Sequence, residues 1–245
     1  MIKGIAFDIN GTLIDILTDE TDWNVFRTTA NFLSYSGVLV APEMLRELYF
    51  ELNKSQRHLS KEMFPEFDVG IIFRDIVRRF SKTPATPQKT AQTADAAARV
   101  FRAASRHKLE LYPGVKEILD ELKKHYKLAA VSDGQKLWAA PEMSSLGLDE
   151  YFPDLLVSGC VGYRKPDKRM FEWAVEKMAL PAGEILFVGN DMYRDIYGAK
   201  EAGMPCVFFK SNQGDHRNHG AEADYIIYDF RELPRAIEFL NTQYC

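Results

Sequence analysis

Five short apolar runs constrain this chain more than any other feature: residues 2–7, 128–131, 185–188, 205–209 and 225–227. Each is bounded by polar or turn residues, and most are followed by a helical pattern. The runs are continuously apolar rather than alternating. That is expected of parallel strands whose sheet is covered by helices on both faces. Val115, Ile118, Leu119 and Leu122 define a helix over 115–125. Met170, Phe171, Ala174, Val175 and Met178 define another over 167–178, after a Lys-Pro step that suits a helix start. A third, 191–202, stops at Gly203. Alternating strands and helices predict a Rossmann-like, doubly wound α/β core.

Residues 19–108 read differently and show no convincing strand. Trp23, Phe26, Ala30 and Leu33 share one helical face, closed by Gly37. Pro42 opens a second helix with Leu45, Leu48, Tyr49 and Leu52 inward. Ile72, Ile76, Val77 and Phe80 mark a third. Residues 81–90 form a Thr/Pro loop, and 91–107 an Ala-rich helix. The expected division is a discontinuous core, 1–16 and 111–245, with a helical cap domain at 17–110. The linkers near Ile14–Thr18 and 108–113 are the expected hinges.

Apolar residues make up 46% of the 245, and charged residues 27%, so disorder is excluded as the main state. A net charge of −4 argues against a nucleic-acid binder. The insert, from Asp19 to Glu110, holds fourteen basic and twelve acidic residues, net +2, which leaves the core at −6. No apolar run approaches the roughly 20 residues of a membrane span, and the N-terminus does not read as a signal peptide. Cys160, Cys206 and Cys245 form no C-x-x-C pair. Two are expected as semi-buried apolar fillers and one as a frayed terminal thiol. A reducing, cytoplasmic setting follows as the default. Oligomeric state is not legible in the chain.

Chemistry gathers at the ends of the apolar runs. The first delivers Asp8, then Ile9-Asn10-Gly11-Thr12. In an open α/β sheet, ligands bind beyond the carboxyl ends of the strands. Ser132, with Asp133-Gly134, follows the second run. Lys165 lies in Gly162-Tyr163-Arg164-Lys165-Pro166-Asp167, and Gly189-Asn190-Asp191 with Asp195 follows the third run. A carboxylate, a hydroxyl, a lysine and an acidic cluster are what aspartate-based phosphoryl transfer requires. Hard oxygen ligands suit Mg²⁺.

In these four motifs, taken in order, the chain resembles the haloacid dehalogenase (HAD) superfamily. Tyr112-Pro113-Gly114-Val115 and the stretch from Gly198 to Met204 extend the likeness over nearly the whole core. The resemblance implies a Rossmann-like core with a helical cap of the first type. It implies Asp8 as nucleophile, Thr12 as support for the first loop, and Gly11, Ser132, Asp133 and Lys165 around the phosphoryl group. It implies a Mg²⁺ site drawn from Asp8, the Asn10 carbonyl, Asn190, Asp191 and Asp195. The implied activity is hydrolysis of a small phosphomonoester through an aspartyl-phosphate.

Two departures stand out. Phosphatases of the family carry a general-acid aspartate two residues after the nucleophile, and here that position is Asn10. An amide cannot do the work, which typically supplies about 10²–10⁴-fold. Three readings stay open: an engineered substrate trap, a natural slow phosphatase or one using another acid such as Asp15 or Asp133, or a chain that has left phosphatase chemistry. The fourth motif also has two registers, Asn190 with Asp195 and Asp191 with Asp195. A formal anion is the better Mg²⁺ ligand, so Asp191 is preferred over Asn190. A metal-independent 2-haloacid dehalogenase is the enzymatic alternative, and a phosphate-binding module the non-enzymatic one. Arg27, Lys54, Arg57, His58 and Arg74 are candidate cap contacts. Trp23, Trp138 and Trp173 are expected in the core, and residues 216–219 in a surface loop.

Overall fold

The structure is a computed structural model and describes residues 1–243. Strand β1 (Gly4–Phe7) opens the chain. An antiparallel ribbon of β2 (Ile14–Thr18) and β3 (Arg106–Leu111) then brackets four helices. These are α1 (Trp23–Tyr35), α2 (Pro42–Leu59), α3 (Val69–Phe80) and α4 (Pro87–Ser105). The remaining strands are β4 (Lys127–Ser132), β5 (Leu155–Val157), β6 (Ile185–Gly189), β7 (Cys206–Phe209) and β8 (Tyr225–Ile227). With β1 they form a six-stranded parallel sheet in the order β5-β4-β1-β6-β7-β8. Helices α5 (Val115–Leu122), α6 (Lys136–Ser145), α7 (Lys168–Met178), α8 (Gly198–Glu201) and α9 (Leu233–Gln243) flank it.

Successive side chains of a strand point to opposite faces. Ile5 and Phe7 pack with Leu119 of α5 and Ile237 of α9. Ala6 packs with Phe171 and Ala174 of α7 and Ala199 of α8. Burial on both faces is why the strands carry no polar alternation. The insert has its own core, in which Phe26, Tyr49, Phe73 and Phe101 are fully buried. Phe101 stacks on Trp138 of α6, with centroids 6.3 Å apart, and so joins the insert to the core.

Some expectations are corrected. The segment read as one α-helix over 191–202 begins as a π-helical turn, Met192–Tyr197, because Ile196 N–H reaches back to the Asp191 carbonyl at 3.1 Å. The two linkers are paired strands with a bulge at Leu17/Thr18. The loop after α3 is shorter than expected, since Thr86 caps α4 and Pro87 starts it. Trp23 is exposed at the first position of α1, whereas Trp138 is buried. Cys160 is exposed and Cys206 buried, while Cys245 lies outside the described residues. Strand β5 and helix α6, which contains Pro141, had no periodic signal in the sequence. No described helix is long and apolar enough to cross a membrane.

Candidate active site

Strand β1 is flanked by β4 on one side and β6 on the other. The chain order reverses there, so a crevice opens at the carboxyl end of β1. Asp8 stands at that end, its N–H bonded to the Val188 carbonyl at 2.9 Å. The following turn closes on itself. The N–H groups of Thr12, Leu13 and Ile14 converge on the Ile9 carbonyl, at 3.2, 2.8 and 3.0 Å. The Gly11 N–H is spent on the Ile14 carbonyl at 2.8 Å, so it is not free for a phosphoryl oxygen. Gly11 matters sterically instead. Its φ is +87°, and a Cβ there would lie 2.2 Å from the Asn190 amide nitrogen.

The Asp8 carboxylate is held at both oxygens. Lys165 Nζ donates to Oδ1 at 2.6 Å, and the Thr12 hydroxyl lies 2.9 Å from Oδ2. Lys165 donates its other protons to Asp195 Oδ1 at 2.6 Å and the Val131 carbonyl at 3.2 Å. Asp195 Oδ2 accepts from the N–H groups of Asn190 and Asp191, each at 3.0 Å. Asp8, Lys165 and Asp195 are all buried. Burial alone would push the lysine down, but Asp195, Asp8 and Asp133 raise it above its ordinary value and keep it charged. One cation cannot neutralise two carboxylates. Burial, opposed by Lys165 and reinforced by Asp8, therefore pushes Asp195 up.

The Lys165 loop is fixed by Asp133, whose Oδ1 accepts from the Lys165 backbone N–H at 3.0 Å. Its Oδ2 is buried without a hydrogen bond and lies 3.9 Å from Arg194 Nη1. Burial pushes Asp133 up. Ser132 ends β4, buried, and its hydroxyl donates over 3.4 Å to the Asp133 carbonyl, too long to commit it. Asp15 lies elsewhere, paired with Lys108 at 2.6 Å and accepting from Gln213 at 2.8 Å.

The two registers of the fourth motif separate geometrically. Asp191 caps the π-helical turn. Its Oδ1 accepts from Tyr193 and Arg194 N–H at 3.0 and 2.7 Å, and its Oδ2 from Arg194 Nε and Asp215 N–H at 2.9 and 3.0 Å. Burial opposes ionisation, but Arg194 and these donors hold Asp191 below the ordinary value. Asn190 instead reaches the first loop, its Oδ1 3.1 Å from the Thr12 hydroxyl that also lies 2.9 Å from Asp8. Among the described residues no three carboxylate, histidine or cysteine side chains gather to hold a metal. The Thr12 hydroxyl lies between Asp8 Oδ2 and the Asn190 amide oxygen, and the carbonyl of Asn10, two residues after Asp8, takes none of the turn's internal bonds. One carboxylate with neutral oxygens still fits Mg²⁺, which is commonly held by one or two carboxylates plus substrate phosphate and water.

A cleft of about 300 Å³ adjoins this site through Asn10, Asp133 and Arg194. Core residues Asn10, Asp133, Gly134, Arg164 and Arg194 line it, with Asn53, Arg57 and Arg102 from the insert. Several bonds hold the insert down. Gln135 accepts from Val69 N–H at 2.9 Å and donates to the Phe67 carbonyl at 2.7 Å. Ser158 donates to Glu66 at 2.9 Å, and Arg102 pairs with Glu142 at 2.7 Å. Of the five basic insert residues singled out by sequence, Arg57 alone lines this cleft. Arg27, Lys54 and His58 are exposed outside it, and Arg74 lines a separate groove. Charge type cannot say which side of a helix meets the core. Arg102, Arg164 and Arg194 were missed, although Arg164 and Arg194 sit inside two of the motifs.

A family model described as haloacid dehalogenase-like hydrolase matches residues 2–203. A glyceraldehyde 3-phosphate phosphatase of Methanothermobacter thermautotrophicus is 31% identical over 92% of this chain and 91% of its own. A protein of the same name from Pyrococcus furiosus is 32% identical, over 54% of this chain and 55% of that relative. Among solved structures, a 2-haloacid dehalogenase from Pseudomonas syringae pv. Tomato DC3000 matches with a TM-score of 0.69 at 23% identity, covering 98% of this chain and 99% of that one. That likeness speaks to the fold alone.

Proposed function

This chain belongs to the haloacid dehalogenase-like hydrolases, and we propose that it hydrolyses a small phosphomonoester through an aspartyl-phosphate on Asp8. One observation carries the reading. A buried carboxylate, held by Lys165 and Thr12, stands at the carboxyl end of the central strand, two residues before Asn10, which lines a cleft of about 300 Å³. Phosphatase names among the relatives support it.

Asp8 attacks phosphorus in line, forming an O–P bond. The ester P–O bond breaks, and its electron pair leaves on the alcohol oxygen, which takes a proton. Water then attacks the aspartyl-phosphate, releasing phosphate and restoring Asp8. Thr12 and Lys165 orient the nucleophile, and Lys165 places fixed positive charge beside the developing negative charge. Ser132 offers a hydroxyl to a phosphoryl oxygen. Asn10 lines the cleft without an acidic proton, so its side chain does not protonate the leaving oxygen. Mg²⁺ would be held by Asp8, the Asn190 amide oxygen and the Asn10 carbonyl, with Asp195 anchoring Lys165. When bound, it would neutralise phosphoryl charge.

The engagement of Asp191 by Arg194 favours one second reading, a metal-independent carbon–halogen hydrolase, because it removes a carboxylate from the metal set. A screen of phosphomonoesters with and without Mg²⁺ tests both. Phosphate release that is lost in Asp8→Ala supports the phosphatase. Chloride release from a 2-haloacid without metal, with no phosphate release, supports the second reading instead.

A further inference from the structure

Four arginines line the cleft, and three are already paired. Arg57 lies 3.3 Å from Glu66, Arg102 2.7 Å from Glu142, and Arg194 2.9 Å from Asp191. Arg164 is half-buried and has no ion pair or side-chain hydrogen bond among the described residues. Its backbone is nevertheless pinned at both ends. Its N–H donates to the Phe64 carbonyl of the insert at 3.0 Å, and its carbonyl accepts from Asp167 N–H at 3.0 Å. It also immediately precedes Lys165, which touches the nucleophile at 2.6 Å. The guanidinium is thus a positive charge on a backbone-anchored mount, lining the same cleft as Asn10 and Asp133 and left without a protein partner among the described residues.

We propose that Arg164 receives a carboxylate carried by the substrate, so that the preferred phosphomonoester is a short phosphorylated carboxylic acid. This rests on the phosphatase reading and names its substrate class. A planar guanidinium matches a carboxylate through two parallel hydrogen bonds. The cleft has room for about ten water-sized volumes, enough for a phosphoryl group and a few carbons. Glu20, Glu66, Asp133 and Glu142 also line it, and they disfavour a second phosphate, with its higher charge, more than a single carboxylate.

Two matched pairs test this: 3-phosphoglycerate against glycerol 3-phosphate, and 2-phosphoglycolate against ethyl phosphate. The readout is the ratio of kcat/KM for the acid over that for its neutral partner. The wild-type protein is expected to favour the acid in at least one pair. Arg164→Gln should lower that ratio by about tenfold or more, chiefly through KM, and Arg164→Lys should restore part of it. A wild-type protein that favours neither acid, or a ratio unmoved by Arg164→Gln, overturns the assignment while leaving the phosphatase intact. Absence of Asp8-dependent phosphate release from all four esters overturns both.

Discussion

The ammonium of Lys165 lies 2.6 Å from a carboxylate oxygen of Asp8 and 2.6 Å from one of Asp195, out of contact with solvent. One cation therefore serves both Asp8 and the residue that orders the fourth motif. Removing it leaves two buried carboxylates facing each other. Breaking a buried pair costs about 3–5 kcal/mol. Lys165→Met is expected to lower Tm and to reduce phosphate release by about 10²-fold or more. Asp195→Asn should retain more activity, because the Lys165–Asp8 contact survives. Thermal melts and single-substrate kinetics on both variants check the order.

Asn10 makes a prediction about leaving groups. An aryl phosphate leaves with little need of a proton, whereas an alkyl phosphate needs one. Asn10→Asp is expected to raise alkyl phosphate turnover by about 10-fold or more, within the range of general acid catalysis. The gain on an aryl phosphate should be smaller. Equal gains, or none, would count against Asn10 as the missing acid.

Two glycines with positive φ should respond differently to alanine. Gly37 has φ +76° and nothing near its would-be Cβ, so Gly37→Ala should cost only about 1–2 kcal/mol of backbone strain. Gly11 has φ +87° and the Asn190 amide 2.2 Å from that position. Gly11→Ala should cost more and should also depress activity, because Asn190 must move away from Thr12. Denaturant titration and kinetics of the two variants separate strain from displacement.

The Arg102–Glu142 pair, at 2.7 and 3.2 Å, ties the insert to α6. Glu142 is only 3% exposed, and Arg102→Met leaves its buried carboxylate with only the longer Arg106 contact at 3.6 Å. A loss of about 1–3 kcal/mol is expected, the cost of a buried acceptor losing its hydrogen-bond donors. The double variant Arg102→Met with Glu142→Met should recover part of it, which a double-mutant cycle by denaturant unfolding measures.

Burial pushes the Cys206 thiol up to about 12, well above the ordinary thiol value. The thiolate is the reactive form, and at pH 8 almost none of it exists at this site. Iodoacetamide at pH 8 should modify exposed Cys160 while leaving Cys206 untouched in the native protein. Denaturation should expose Cys206, as peptide mapping by mass spectrometry would show.

Much of this architecture was readable from local pattern. The continuous apolar runs, Gly11 after Asp8, and the helix start at Asp167 each follow from interactions within a few residues. Strand β5 and helix α6 were not readable. Residues 155–157 are too few for a periodic signal, and Pro141 argues against a helix that tertiary packing nonetheless imposes. The ribbon of β2 and β3 was hidden for a related reason, since each strand's partner lies about ninety residues away.

The sequence by itself determined the parallel sheet, the helical interruption and the set of motif residues, because strand burial and turn chemistry act over short stretches of chain. Tertiary structure decided which of those residues meet. Asp191 carries the charge that a metal prefers, yet folding spends it on Arg194 and its own helix cap, and neutral Asn190 comes to stand beside Thr12. Arg164 became distinctive only once every other arginine of the cleft had a carboxylate beside it. Such pairings depend on strand register and on how the insert is seated, and those are set by packing across the whole chain rather than by neighbouring residues.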